Sequence, residues 1–98
     1  MNNVGIQDFI IIQNADKQYL AVVITIKEHG KELIVQCYQP PFSQLSYIRI
    51  FNKIENNMTI QWNQIVARVD FQPTVGRRNQ LLLSKEQFNM IRTQCSQK

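Results

Sequence analysis

Hydrophobic and polar positions alternate along most of the chain up to residue 71, with the period of two that a half-buried strand requires. The run DFIIIQ at 8–13 is apolar and β-branched, and it stops at NADKQ, where Asn14, Asp16 and Lys17 are turn formers. A first strand and turn are predicted there. YLAVVITIKE then sets Leu20, Val22, Ile24 and Ile26 on one face against Tyr19, Ala21, Val23, Thr25 and Lys27 on the other. After a short glycine turn, HGK at 29–31, ELIVQCY groups Leu33, Val35 and Cys37 opposite Ile34, Gln36 and Tyr38, so the two segments predict a hairpin. Pro40 and Pro41 have no N–H to give to a ladder, which predicts a strand end near Gln39 and a loop holding Phe42 and Ser43.

Farther on, YIRIF predicts a short strand, the polar cluster NKIENN at 52–57 a turn or insertion, and MTIQW a further strand. WNQIVARVDF alternates again, with Ile65, Ala67, Val69 and Phe71 inward and Val66, Arg68 and Asp70 outward, before Pro73 and Gly76 fold the chain back. The run QLLL leads into SKEQFNMIRTQC, where the apolar spacing becomes helical. Ser84 and Gln87 form a capping box, Leu83 and Phe88 a hydrophobic staple, and Phe88, Ile91 and Cys95 one apolar stripe. The expectation is a single mainly β domain over 1–98. It has a loose lead-in at 1–7, a small antiparallel barrel of about five strands at 8–83, and a C-terminal helix at 84–95 that closes one end or face. An α+β roll is the structural alternative.

Composition narrows the function classes. Ninety-eight residues suit one modest core, and 44% hydrophobic with 18% charged residues is ordinary globular usage. The 22 Gln and Asn residues are spread among apolar positions, so they read as polar strand faces and turns, not a low-complexity tract. The longest apolar stretches, Phe9 to Ile12 and Leu20 to Ile26, fall well short of the ~18–20 residues that cross a bilayer. MNNVGIQDF lacks the basic start, apolar middle and cleavage site of a secretory signal, so an intracellular protein, nuclear or cytoplasmic, with no membrane partner is expected. Cys37, Cys95 and His29 lie at no metal-ligand spacing, which predicts reduced thiols and no metal. His29 with Gly30 reads as a hairpin turn, and no acid, nucleophile or phosphate-cradling glycine loop accompanies it. The chain is therefore expected to be no enzyme and to use no cofactor.

Charge changes the picture more than composition does. The net charge is +4, and residues 49–98 hold the whole excess of Lys and Arg. Arg77 and Arg78 sit in the PTVGRR turn, and Arg49, Arg68 and Lys85 extend a candidate basic patch for phosphates or an acidic peptide. Arg92 on the helix suits the C-terminal end of its dipole.

The segment DFIIIQNADKQYLAVVITIKEHGKELIVQCYQP resembles the start of tudor-like and related SH3-like barrels: an extended strand, a short turn, a Tyr-led second strand, a glycine turn and a third strand. IQWNQIVARVDFQPTVGRRNQLLLS is similar to the closing strands of tudor-like modules, and together the two cover most of 8–84. The resemblance implies a cage of aromatic rings for a methylated Lys or Arg, held by cation–π attraction. Carried onto this chain, it points to Tyr19, Tyr38, and Phe42 or Tyr47, with Asn52 as a polar contact; the acidic residue that often accompanies such a cage has no counterpart. Trp62 is a further aromatic candidate, for a peptide anchor or for rim packing.

Three functions compete. The first is a binding or adaptor module for a peptide or protein, including a modified basic tail, with a groove lined by Tyr19, Tyr38, Phe42 and Trp62. The second is a nucleic-acid-binding domain that uses Arg49, Arg68, Arg77, Arg78 and Lys85 on phosphates. The third is a structural or viral accessory subunit that self-assembles through a strand edge or the helix. Oligomeric state is left open.

Overall fold

The computed structural model describes residues 4–27, 29–42, 50–77 and 80–96, with the side chains of 40, 42 and 94–96 left aside. The chain is mainly β. In order it forms β1 (Phe9–Asn14), β2 (Lys17–Ile26), β3 (Glu32–Phe42), β4 (Ile50–Lys53), β5 (Met58–Gln61), a 3-10 turn (Trp62–Gln64), β6 (Ile65–Arg68), β7 (Thr74–Val75), β8 (Leu81–Leu82) and helix α1 (Lys85–Ser96). All pairings are antiparallel, in the order β6-β1-β2-β3-β4-β8-β7, with β5 also on β3. This is the expected antiparallel class with one C-terminal helix. Several of the eight strands are short because β4 and β5 are two pieces of one interrupted strand along β3: Lys53 pairs with Tyr38, Ile54 still donates its N–H to the Cys37 carbonyl at 2.9 Å, and Met58 resumes opposite Val35.

The sheet curls. Its ends β5 and β6 are joined by the three residues of the 3-10 turn, although β5 lies beyond β3 and β6 beyond β1. Ile60 of β5 and Ile65 of β6 consequently pack with Ile10, Ile12, Ala21, Val23, Leu33, Val35 and Cys37 into one inner core. The opposite face of the same strands carries Phe9, Ile11, Leu20, Val22 and Tyr38, and the C-terminal third covers them with Val69, Leu81, Leu83, Phe88 and Ile91, together with Phe51 of β4. The helix lid begins as its sequence predicts: Gln87 N–H donates to Ser84 Oγ at 3.1 Å, Ser84 N–H donates to Gln87 Oε1 at 3.0 Å, and Leu83 and Phe88 are both buried. The side chain of Cys95 lies outside the described residues. No helix among the described residues is long and apolar enough to cross a membrane.

Register shifts account for most departures from simple alternation. Opposite β3, Val23 pairs with Val35 but Thr25 pairs with Ile34, so β2 carries one extra residue at Ile24. The bulge turns Ile26 into the inner core, away from Leu20, Val22 and Ile24, with which the alternation grouped it. β6 has a similar extra residue between its pairings Ile12 with Ile65 and Ile11 with Ala67, which places Ile65 inside while Val69 and Phe71 pack in the outer core. The double proline does not end β3. Leu20 pairs with Tyr38 and Gln18 with Phe42, so β3 spends two more residues than β2 there, and the ladder steps past the positions that have no N–H.

Part of the lead-in is fixed as well. Gln7 N–H donates to the Val23 carbonyl at 2.8 Å, and Val4 packs against the inner core. At the β1–β2 turn Ala15 has φ 57, a left-handed conformation that costs a residue with a Cβ about 1–2 kcal/mol. At the β2–β3 turn the same need is met by Gly30, φ 66. Gly76, by contrast, does not hold positive φ; Leu82 packs over it, and a Cβ there would lie 3.1 Å from Leu82 Cδ1.

Candidate partner-binding site

The aromatic candidates are divided between the two faces. Tyr19, half-buried on β2, and Trp62, half-buried in the 3-10 turn, both pack on the inner core. Tyr38 is 6% exposed and belongs to the outer core, where burial raises its phenol pKa. Its place on β3 gives the reason: it lies opposite Leu20, on the face that the lid covers. Tyr38 is thus a core residue, not a wall of an open cage with Tyr19. Phe42 ends β3 opposite Gln18, but its side chain, like the whole of Tyr47, lies outside the described residues.

The basic candidates do not share one element. Arg68 closes β6 and pairs with Asp8, Nε to Oδ2 3.5 Å. Arg77 is exposed in the β7–β8 turn, where its carbonyl accepts the Gln80 N–H at 3.2 Å. Lys85 is exposed at the first position of α1. Arg49 and Arg78 lie outside the described residues. Asn52 on β4 accepts a hydrogen bond from Gln80 Nε2 at 2.7 Å, which ties β4 to the lid.

The described residues converge elsewhere. At the hairpin end of the sheet, Lys27, His29, Lys31, Glu32 and Gln61 line a cleft of about 430 Å³. Leu33 and Ile60 point into the inner core, so their neighbours Glu32 and Gln61, which pair across β3 and β5, occupy the outer face. The row Thr25, Ile34 and Thr59 continues that face. Most of it is polar, and none of these side chains belongs to the outer core. Lys27 pairs with Glu32 at 3.4 Å, and the Lys27 N–H donates to the Glu32 carbonyl at 2.9 Å. The Trp62 indole N–H donates to the Gly30 carbonyl, which locks the 3-10 turn to the hairpin tip and gives the cleft a rigid aromatic neighbour. The turn is further held by Gln64: its Oε1 accepts the Gln61 N–H at 2.9 Å, and its Nε2 donates to the Gln13 carbonyl at 3.2 Å.

Of this site, only Trp62 stands among the sequence candidates. Lys27, Lys31, Glu32 and Gln61 carried one signal, a lysine on each side of His29 and Gly30, but Gln61 joins them only because β5 pairs with β3. The cleft offers two ammonium groups, one of them paired with the Glu32 carboxylate, together with the His29 ring and the Gln61 amide, which suit recognition of an anionic or hydrogen-bonding group. The one cysteine thiol described, Cys37, is buried and free, and burial pushes its pKa up to about 11, which keeps it protonated and unreactive at neutral pH. Comparisons of the chain with models of protein families, with curated proteins and with solved structures find no match.

Proposed function

We propose that the chain is a non-enzymatic binding module that takes a peptide or protein segment at the hairpin end of its sheet. The observation that carries this reading is the cleft of about 430 Å³ between the β2–β3 turn and β5, beside an indole fixed by its own hydrogen bond. A pre-formed concave site with a few converging polar groups is the usual form of a recognition surface. The strand order supports the SH3-like resemblance: a meander of β1, β2, β3 and the interrupted β4–β5 returns through one 3-10 turn to β6 on β1. Lys27 and Lys31 on the cleft favour a neutral or acidic segment over a methylated basic tail, since a like charge brought beside them is repelled.

The test is selection from a peptide library followed by chemical-shift mapping. The expected shifts gather on 27–32 and 59–64; selected peptides whose shifts fall elsewhere, or a library that yields no binder, would overturn the reading.

Nucleic-acid binding is a second reading, favoured by Arg77 and Lys85, which are both exposed and form no ion pair among the described residues. A shift assay over a salt series decides it, because affinity that stays constant as salt rises contradicts a phosphate-dominated interface.

A further inference from the structure

We infer that the partner is an acidic segment that adds to the free edge of β5 as an extended strand, with one of its carboxylates held at Lys31. This rests on the reading of the hairpin-end cleft as the binding site.

The edge follows from the ladder. The Lys27 N–H donates to the Glu32 carbonyl, so the main chain of Glu32 faces β2, and the main chain of its partner Gln61 faces away from β3. The Gln61 N–H is indeed taken on that far side by the Gln64 side chain. Thr59, two residues back, shares this orientation and is exposed. Its N–H and carbonyl are left for a further strand, since among the described residues β5 pairs with β3 alone, whereas the Gln61 carbonyl, at the N-cap of the 3-10 turn, accepts that turn's first bond. Strand edges that must stay unpaired are commonly blunted by lysine or proline, and β5, MTIQ, carries neither.

The chemistry of the occupant follows from the cleft. An added strand sets every second side chain on the outer face beside Thr59 and Gln61, where the cleft opens. Lys27 is already compensated by Glu32, whereas Lys31 is exposed and has no ion-pair partner among the described residues. The uncompensated charge of the cleft is therefore positive, and a carboxylate meets it with a charge-assisted hydrogen bond. A polynucleotide has no main-chain amides to match the groups at Thr59.

The experiment uses the full chain and three probes in parallel: an acetylated, amidated octapeptide alternating Thr and Glu, the same peptide with Lys for Glu, and the Thr–Glu peptide N-methylated at alternate amides. The expected result is binding of the first with amide shifts at Thr59 and Gln61, a loss of at least about tenfold for each of the other two, and a loss of at least about tenfold in the Lys31→Glu variant. Comparable affinity of the N-methylated peptide would overturn strand addition, and comparable affinity of the Lys peptide would overturn the charge assignment. Failure of the Thr–Glu peptide while library-selected peptides still shift 27–32 would overturn this inference and leave the binding-module reading standing. Failure of both would remove the two together.

Discussion

The two faces of β1–β3 are packed by different means. The inner core is almost wholly aliphatic, with Ile10, Ile12, Val23, Leu33, Val35 and Ile60 buried around Ala21 and Cys37. A curled sheet narrows toward its concave side, and short branched side chains fill that space without leaving their strand rotamers. The outer core is built around the rings of Phe9, Tyr38, Phe51 and Phe88, which bridge the wider gap between the sheet and a lid of loops, short strands and one helix. The inner core closes within residues 4–65; the outer one also needs 69–91. Yet both hang on the same strands, so neither can be lost without exposing the back of the other. At the hairpin end the outer face departs from this plan. Glu32 and Gln61 belong to neither core there, and the face becomes polar and presents the cleft.

The largest effect should come from breaking one core at a time. Phe88→Ala empties the centre of the lid and should cost about 3–5 kcal/mol; Leu33→Ala removes an inner-core side chain and should cost about 2–5 kcal/mol. Because the strands are shared, urea unfolding followed by both tryptophan fluorescence and far-UV circular dichroism should give one coincident transition for each variant. Trp62 reports on the inner core and circular dichroism on the whole sheet. A lid that melts first in Phe88→Ala, with the tryptophan signal still native, would show that the two cores are separate folding units.

Alkaline titration sharpens the comparison from within one strand. Cys37 and Tyr38 are neighbours on β3 that face opposite cores, and burial raises the pKa of both. Each folded-state pKa lies above its unfolded value, so the stabilising contribution is complete below the unfolded pKa and falls away as pH rises through the folded one. For the Cys37 thiol that window runs from about pH 9.0 to about 11. Its share is at most about 2 kcal/mol once solvent screening is allowed for. Stability measured across this range should fall less steeply in Cys37→Ala than in the parent chain. Equal slopes would mean that the inner core does not hold the thiol protonated.

The inner core was the more legible of the two in the sequence. Alternation in ELIVQCY put Leu33, Val35 and Cys37 together, and they are together; the capping box and staple at Ser84 marked the helix start. What alternation does not carry is a register shift. A bulge at Ile24 leaves no mark in a run of β-branched residues, and it decides the face of Ile26. The double proline looks like a strand end because a missing N–H normally breaks a ladder, but two uncounted residues let the chain pass. The site was least legible. Tyr19 and Tyr38 have equivalent solvent-facing positions on paper, and only the C-terminal lid, a long-range partner, distinguishes a wall of the site from a piece of core.

A smaller effect, confined to the lid, is expected at the cap. Ser84→Ala removes the hydroxyl that accepts the Gln87 N–H and should cost about 1 kcal/mol, read by thermal denaturation, while shifts in the hairpin-end cleft stay unchanged. Shift changes at 27–32 in this variant would show that the lid supports the cleft after all.

The smallest effect should fall on the lid's own turn. Arg77 follows Gly76 between β7 and β8 with its side chain exposed, and what it gives the turn is its carbonyl, which accepts the Gln80 N–H at 3.2 Å. Alanine keeps that carbonyl, so Arg77→Ala should change stability by no more than about 0.5 kcal/mol. Gly76→Val is the contrasting change one residue earlier: a Cβ 3.1 Å from Leu82 Cδ1 must push that side chain, and stability should fall measurably more than for Arg77→Ala in the same denaturation series. If the turn also meets an anionic partner, Arg77→Ala should weaken that binding by about 1–3 kcal/mol with the fold intact. A variant that loses more than about 1 kcal/mol of stability would instead make Arg77 part of the lid's structure, and the division between a packed outer core and a free turn above it would fail.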